Sequence, residues 1–194
     1  MKIAVCGDSF AANNFDPHSW VNLLSREYEV QHLAQAGISE YKIYKQILSV
    51  DADFVIVCHT SPYRVHTNTH PWHQSGFHQH SDLIFSDIED KYNQTDNEKI
   101  KTAYNYFQFY FDPEYYENIY RLVRKDINQL MTIPSLHIDN FEISKNFAVE
   151  DCKLDLSNVW RTHPGIINHY SIEGNLVVYS SIKDMMNRIA NDNM

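Results

Sequence analysis

Ile3-Ala4-Val5-Cys6, behind Lys2, make a short unbroken apolar run over residues 2–6 that stops at Gly7-Asp8. That is the pattern of a strand covered on both faces. After a turn-rich stretch and Pro17, Trp20, Leu23, Leu24 and Tyr28 recur at helical spacing, predicting a helix over about residues 18–28. Residues 28–33 alternate like a second strand; Ala36-Gly37 breaks it, Ser39 can cap, and Ile43, Ile47 and Leu48 stripe the next helix. The apolar run at 54–58 is the clearest strand signal in the chain. Strand, helix, strand, helix, strand is the order of a doubly wound α/β sheet, because parallel neighbours need crossover helices.

After Pro62 the pattern lapses. Residues 63–93 are polar, aromatic and histidine-rich without a clean period, and read as a long irregular insertion after the third strand. Thr95-Asp96-Asn97-Glu98 has capping-box form and opens a helix to about Phe109. Asp112 can cap the next helix, with Pro113 in its first position and Tyr116, Ile119, Leu122, Val123, Ile127 and Leu130 as its apolar face. Residues 135–139 form a fourth strand, and a last helix starts near Ser171 and turns Val178, Ile182, Met185, Met186 and Ile189 inward.

With 194 residues, 43% of them hydrophobic, the chain can fill one core and is read as a single domain over 1–194. Lys+Arg 16 against Asp+Glu 25 leaves a net charge of −9, and no basic cluster stands out, which argues against a nucleic-acid partner. No apolar run approaches the roughly 20 residues of a membrane helix, so no membrane partner is expected. The N-terminal apolar run turns polar too soon for a secretory signal. Three cysteines without CxxC spacing exclude a disulfide framework and a four-thiolate metal site. A reducing compartment follows, cytoplasmic or virion-associated, and no cofactor is called for.

In an open parallel sheet, function collects at the carboxyl ends of the strands. That rule selects Gly7-Asp8-Ser9, Ala36-Gly37-Ile38-Ser39, His59-Thr60-Ser61-Pro62 and the loop from Asp139 towards His169. A serine on a tight turn at a strand mouth can be held rigidly against a carbonyl, but it needs an imidazole to take its proton and donors for the oxyanion. Ser9 could equally satisfy only its own turn, His169 could be a capping residue, and Gly37 could be a turn glycine.

Taken together, Gly7-Asp8-Ser9-Phe10, Gly37 within residues 32–39, and Asn168-His169-Tyr170-Ser171-Ile172-Glu173-Gly174-Asn175 resemble the nucleophile, glycine and histidine blocks of the SGNH (GDSL) hydrolases, in that family's order. The resemblance implies a flavodoxin-like three-layer α/β/α sandwich with a parallel sheet of four to five strands. It also implies acyl transfer to water without a metal: Ser9 as nucleophile, His169 as general base and then acid, and the backbone N–H groups of Ser9 and Gly37 as oxyanion donors. Two positions depart from the family. Ile166 stands where an aspartate usually orients the histidine, leaving a main-chain carbonyl or Asp155 for that task. The third block lacks its asparagine, leaving Thr60 or Ser61 as donors.

His66, His70, His73, His78 and His80 crowd the insertion. His66, His70 and His73 are weak metal candidates, because Pro71 forbids a helix there and no acid falls among them. Tyr63, Arg64, Trp72 and Phe77 suit stacking on sugar rings and gripping hydroxyls or a carboxylate. The expected activity is hydrolysis of a small O-acyl ester, O-acetyl on a carbohydrate, with Asp8, Thr60, Ser61 and Arg64 lining the substrate. The rival is a catalytically decayed glycan-binding or assembly module of the same shape. A second concentration of rings, from Tyr104 to Tyr120, reads mainly as helix packing.

Overall fold

The structure is a computed structural model that describes residues 1–12, 16–150, 152–165 and 169–192. Its elements in chain order are β1 (Lys2–Gly7), α1 (Trp20–Leu24), β2 (Glu29–His32), α2 (Glu40–Ile47), β3 (Phe54–His59), α3 (Phe85–Tyr92), α4 (Glu98–Phe109), α5 (Pro113–Leu130), β4 (Ser135–Asp139), a 3₁₀ turn (Ser144–Phe147), β5 (Lys153–Asp155), α6 (Val159–Thr162) and α7 (Ile172–Asp192). The five strands form one all-parallel sheet in the order β2-β1-β3-β4-β5. This is the flavodoxin-like order, with its switch point between β1 and β3.

Strand pleating sends alternate residues to opposite faces. Ile3, Val5, Phe54 and Ile56 pack under α1 and α7 with Trp20, Leu24, Val178 and Ile182; Ala4, Cys6, Val55 and Val57 pack under α2 and α5 with Ile43, Ile47 and Ile127. The expected α/β/α sandwich is therefore what forms. Among the described residues no helix is long and apolar enough to cross a membrane.

Several boundaries differ from the sequence expectation. Helix α1 is capped by Ser19, whose hydroxyl accepts the Asn22 N–H, and it ends at Leu24, so residues 25–28 turn instead of continuing it. Asn97 caps α4, two residues later than the capping-box reading of Thr95. Inside the supposedly irregular 63–93 lies α3, whose Ile88 packs on Ile100 and Ala103 of α4 as a small separate core. Asp112 caps α5 as expected, accepting from the Glu114 and Tyr115 N–H groups. Its buried face, however, is Tyr120, Arg124 and Ile127, while Ile119, Leu122 and Leu130 point outward. The face turns that way because Arg124 follows its two acidic partners into the interior. The short strand β5 pairs with β4 through only three residues, too few to leave an apolar signature.

Candidate active site

Asp8 follows β1 and Thr60 follows β3, so both stand at the switch point, where the Thr60 hydroxyl donates to Asp8 Oδ2 at 3.2 Å. Gly7 makes this closeness possible. Its φ is +146°, and a β-carbon there would lie 2.6 Å from Cys58 Cβ and 2.7 Å from the Cys58 carbonyl oxygen, which only glycine avoids. Asp8 is fully buried; its Oδ1 accepts the Phe10 N–H at 3.1 Å, and its carbonyl accepts the N–H groups of Ala11 and Ala12. These bonds wind residues 8–12 into a tight turn on which Ser9 stands half-buried at the sheet edge.

Arg64 binds this turn to the next loop. One guanidinium nitrogen lies 3.1 Å from Asp8 Oδ2, another donates to the Ile38 carbonyl at 2.9 Å, and the side chain is 8% exposed. Burial pushes the Asp8 carboxyl upward, opposed by Arg64, by the Phe10 N–H, by Thr60 and by the charge of His169. His169 is thus electrically coupled to Asp8, and its half-buried ring stands 5.4 Å from that of Phe10. Tyr170, the next residue, packs at 5.1 Å on Phe10 and donates to Asn140 Oδ1 at the end of β4. Gly37 lies at φ +71° in the loop after β2, closed against Ser81, whose hydroxyl donates to the Ala36 carbonyl.

Of the other candidates, Thr60 is wholly committed: hydroxyl to Asp8, N–H to Glu40 Oε2 at 3.2 Å, and carbonyl to the Tyr120 hydroxyl at 2.8 Å. Its hydroxyl proton is spent on Asp8, so it does not serve as the oxyanion donor expected of the third block. Ser61 is half-buried and accepts the Tyr63 N–H. The guanidinium of Arg64, expected to grip substrate, is instead bound to Asp8 and Ile38. Asp155 is engaged by Ser157 and Lys145. Ile166 and Asn168 lie outside the described residues.

The weak metal candidates have other employment. His66 Nδ1 lies 3.2 Å from Asp82 Oδ1, and the ring stands edge-on to Tyr41. His70 Nδ1 accepts the N–H groups of Trp72 and His73, and the His70 and His73 rings stand 4.6 Å apart, tilted by 41°. Trp72 and Phe77 are exposed, as a stacking role needs.

Behind the switch point lies a buried polar cluster that sequence reasoning missed. Arg124 donates from Nε and Nη2 to Glu150 at 3.0 and 2.6 Å, and from Nη1 to Asp139 Oδ1 and the Ser144 carbonyl. His59 links Glu40 Oε1, 2.5 Å from its Nδ1, to His137 Nδ1, 2.9 Å from its Nε2. Burial pushes Glu40 up to about 8 and His59 and His137 down to about 3; Arg124 holds Glu150 at about 2 against its burial. Among the described residues, His59, His137 and Glu150 are the group whose ligand atoms converge as a metal site requires, all within 4.8 Å. Three features argue for a hydrogen-bonded core instead: both Glu150 oxygens accept from Arg124, a fixed cation faces the gap, and 2.9 Å is an N–H···N distance. The signal that could have found this cluster was His137 interrupting a buried strand and Arg124 standing on the face of Tyr120 and Ile127.

Fold and site together define a doubly wound α/β protein with polar groups gathered at its switch point. The chain matches no protein-family model, no curated protein and no solved structure.

Proposed function

We propose that the protein is a serine esterase that hydrolyses small O-acyl esters, O-acetyl groups on carbohydrate being the favoured substrate. What carries this reading is the half-buried Ser9 at the switch point, on a tight turn whose Phe10 ring stands 5.4 Å from that of His169. Asp8 is a positioning residue: its carboxylate fixes the turn through Phe10 and is itself held by Thr60 and Arg64.

In this mechanism the His169 imidazole takes the Ser9 proton as Oγ adds to the ester carbonyl. The resulting oxyanion is met by the N–H groups of Ser9 and Gly37 and by the Ser61 hydroxyl. The imidazolium returns the proton to the leaving alcohol as the C–O bond breaks. Water, deprotonated by His169, then adds to the acyl-serine; as the acyl C–Oγ bond breaks, the imidazolium returns the proton to Ser9 Oγ and the acid leaves.

Purified protein should hydrolyse p-nitrophenyl acetate. A serine-directed fluorophosphonate should label the wild type and spare Ser9→Ala; equal labelling of the two ends the enzyme reading. One observation favours a decayed binding module: the third block lacks its asparagine and the Thr60 hydroxyl is already spent. That reading requires sugar binding without turnover, indifferent to Ser9→Ala.

A further inference from the structure

The histidine-rich insertion is fastened to the Gly37 loop at three places. The Ser81 hydroxyl donates to the Ala36 carbonyl at 3.1 Å, the Asp82 N–H donates to the Gly37 carbonyl at 3.0 Å, and Asp82 Oδ2 accepts the Ser39 N–H at 2.7 Å. Residues 78–82 are therefore held against the glycine whose N–H would meet the oxyanion. His78 stands at the start of this clamp. Its carbonyl accepts the Ser81 N–H at 2.9 Å, and its Nδ1 lies 3.4 Å from Ser81 Oγ.

Proton counting fixes the state of this ring. A serine hydroxyl has one proton, and that of Ser81 goes to Ala36, so towards His78 its oxygen can only accept. Nδ1 must then carry the proton of the neutral imidazole, which leaves Nε2, on the far side of the ring from Ser81, with a lone pair. Partial burial lowers His78 below the ordinary 6.5 and favours that neutral form; His73, His169 and Arg64 act in the same direction, and Asp87 opposes them. The residue is exposed, open to a ligand. Beside it, edge-on at 5.0 Å, the Phe77 ring keeps 41% of its surface exposed.

We propose that His78 is a specificity-determining residue of the ester hydrolysis, its Nε2 accepting a hydrogen bond from a free hydroxyl on the alcohol half of the ester. This assignment rests on the esterase reading. An acetyl group has no proton to donate, so only the alcohol half can supply the O–H. A hydroxyl for Nε2 together with a C–H face for the Phe77 ring is the combination that a sugar presents, and a simple alkyl or aryl acetate lacks the hydroxyl.

The test compares two esters that differ only in their free hydroxyls, a methyl glucoside bearing one acetyl group and its counterpart whose remaining hydroxyls are all methylated, each hydrolysed by the full chain. The ratio of their kcat/KM values should favour the hydroxylated ester by about tenfold or more. His78→Phe, which keeps a ring and removes both nitrogens, should bring that ratio close to one. His78→Gln, whose carbonyl oxygen can stand near the place of Nε2, should keep part of the preference. The ratio is read only on folded, active molecules, so a loss of fold cannot imitate its collapse. The assignment falls, with the esterase reading intact, if the wild type shows no preference, if it turns over p-nitrophenyl acetate but neither sugar ester, or if the preference survives His78→Phe. Turnover of none of the three acetates overturns both.

Discussion

Arg124 reaches from the middle of α5 to grip both carboxylate oxygens of Glu150, at 3.0 and 2.6 Å, with neither side chain more than 1% exposed. Its remaining donors go to Asp139 Oδ1 and the Ser144 carbonyl, so one guanidinium pins α5 to the end of β4 and the segment beyond it. Removing one partner of a buried ion pair strands the other charge, at a cost of about 3–5 kcal/mol. Arg124→Met should therefore lower unfolding stability by that amount in urea. Arg124→Lys should recover little, since an ammonium cannot reproduce the four-bond fork. A loss under about 1 kcal/mol for Arg124→Met would contradict this account.

The same cluster predicts a stability optimum in pH. Burial raises Glu40 to about 8 from an ordinary 4.5, so its contribution is complete below 4.5 and is lost as pH rises towards 8. Burial lowers His59 and His137 to about 3 from 6.5, so theirs is complete above 6.5 and is lost as pH falls towards 3. Glu150, held at about 2, adds stability that disappears between 4.5 and 2. Two imidazoles outweigh one carboxyl below 6.5, and only the carboxyl acts above it. Urea midpoints should peak at about pH 6.5 and fall on both sides. Glu40→Gln should remove the decline between 6.5 and 8, and a decline that survives the substitution must originate elsewhere.

The central strands were legible because β1 and β3 are buried on both faces and so must be apolar throughout. Strand β5 was not, since two exposed residues around a half-buried Leu154 carry no such constraint. Helix α3 hid because its single buried residue, Ile88, stands among acids that solvate the rest. At the candidate site, Ser9, Gly37 and His169 were visible as residue types that turns and proton transfer require. Asp8 and Arg64 were named with the wrong partners, because their bond joins loops 56 residues apart in sequence and depends on the register of β1 against β3. Arg124 escaped because an arginine on a helix is normally solvated; only the acids that fold brings beside it make its burial favourable.

Gly37 and Ser81 should behave as a coupled pair. At φ +71° an alanine is already strained, and its β-carbon would meet Ser81 Oγ at 2.3 Å and Ser81 Cβ at 2.8 Å. Gly37→Ala should cost about 1–3 kcal/mol from the backbone, with the clash in addition. Adding Ser81→Gly removes both clashing atoms but not the strain, so the double variant should be more stable than the additive expectation. A double-mutant cycle by thermal denaturation reads the coupling directly; strict additivity would mean that the 81 loop moves aside freely.

Arg64 should act on rate more than on binding. It joins the Ser9 turn, through Asp8, to the Gly37 loop, through the Ile38 carbonyl, and so, in the proposed esterase, would set the spacing between nucleophile and oxyanion donors. Misplacing such groups by about 1 Å is enough to cost 10²-fold. Arg64→Gln keeps a donor but not the fork or the charge. It also leaves the buried Asp8 carboxyl without its cation, which drives that carboxyl further towards its neutral form. For p-nitrophenyl acetate, kcat should drop about 10–100-fold with KM nearly constant, since a reactant so small makes few ground-state contacts to lose. Arg64→Lys, which retains charge near Asp8 but cannot span both loops, should fall between the two. Were KM to rise while kcat held, Arg64 would be contacting substrate, and its bond to Asp8 would have to break in the working enzyme.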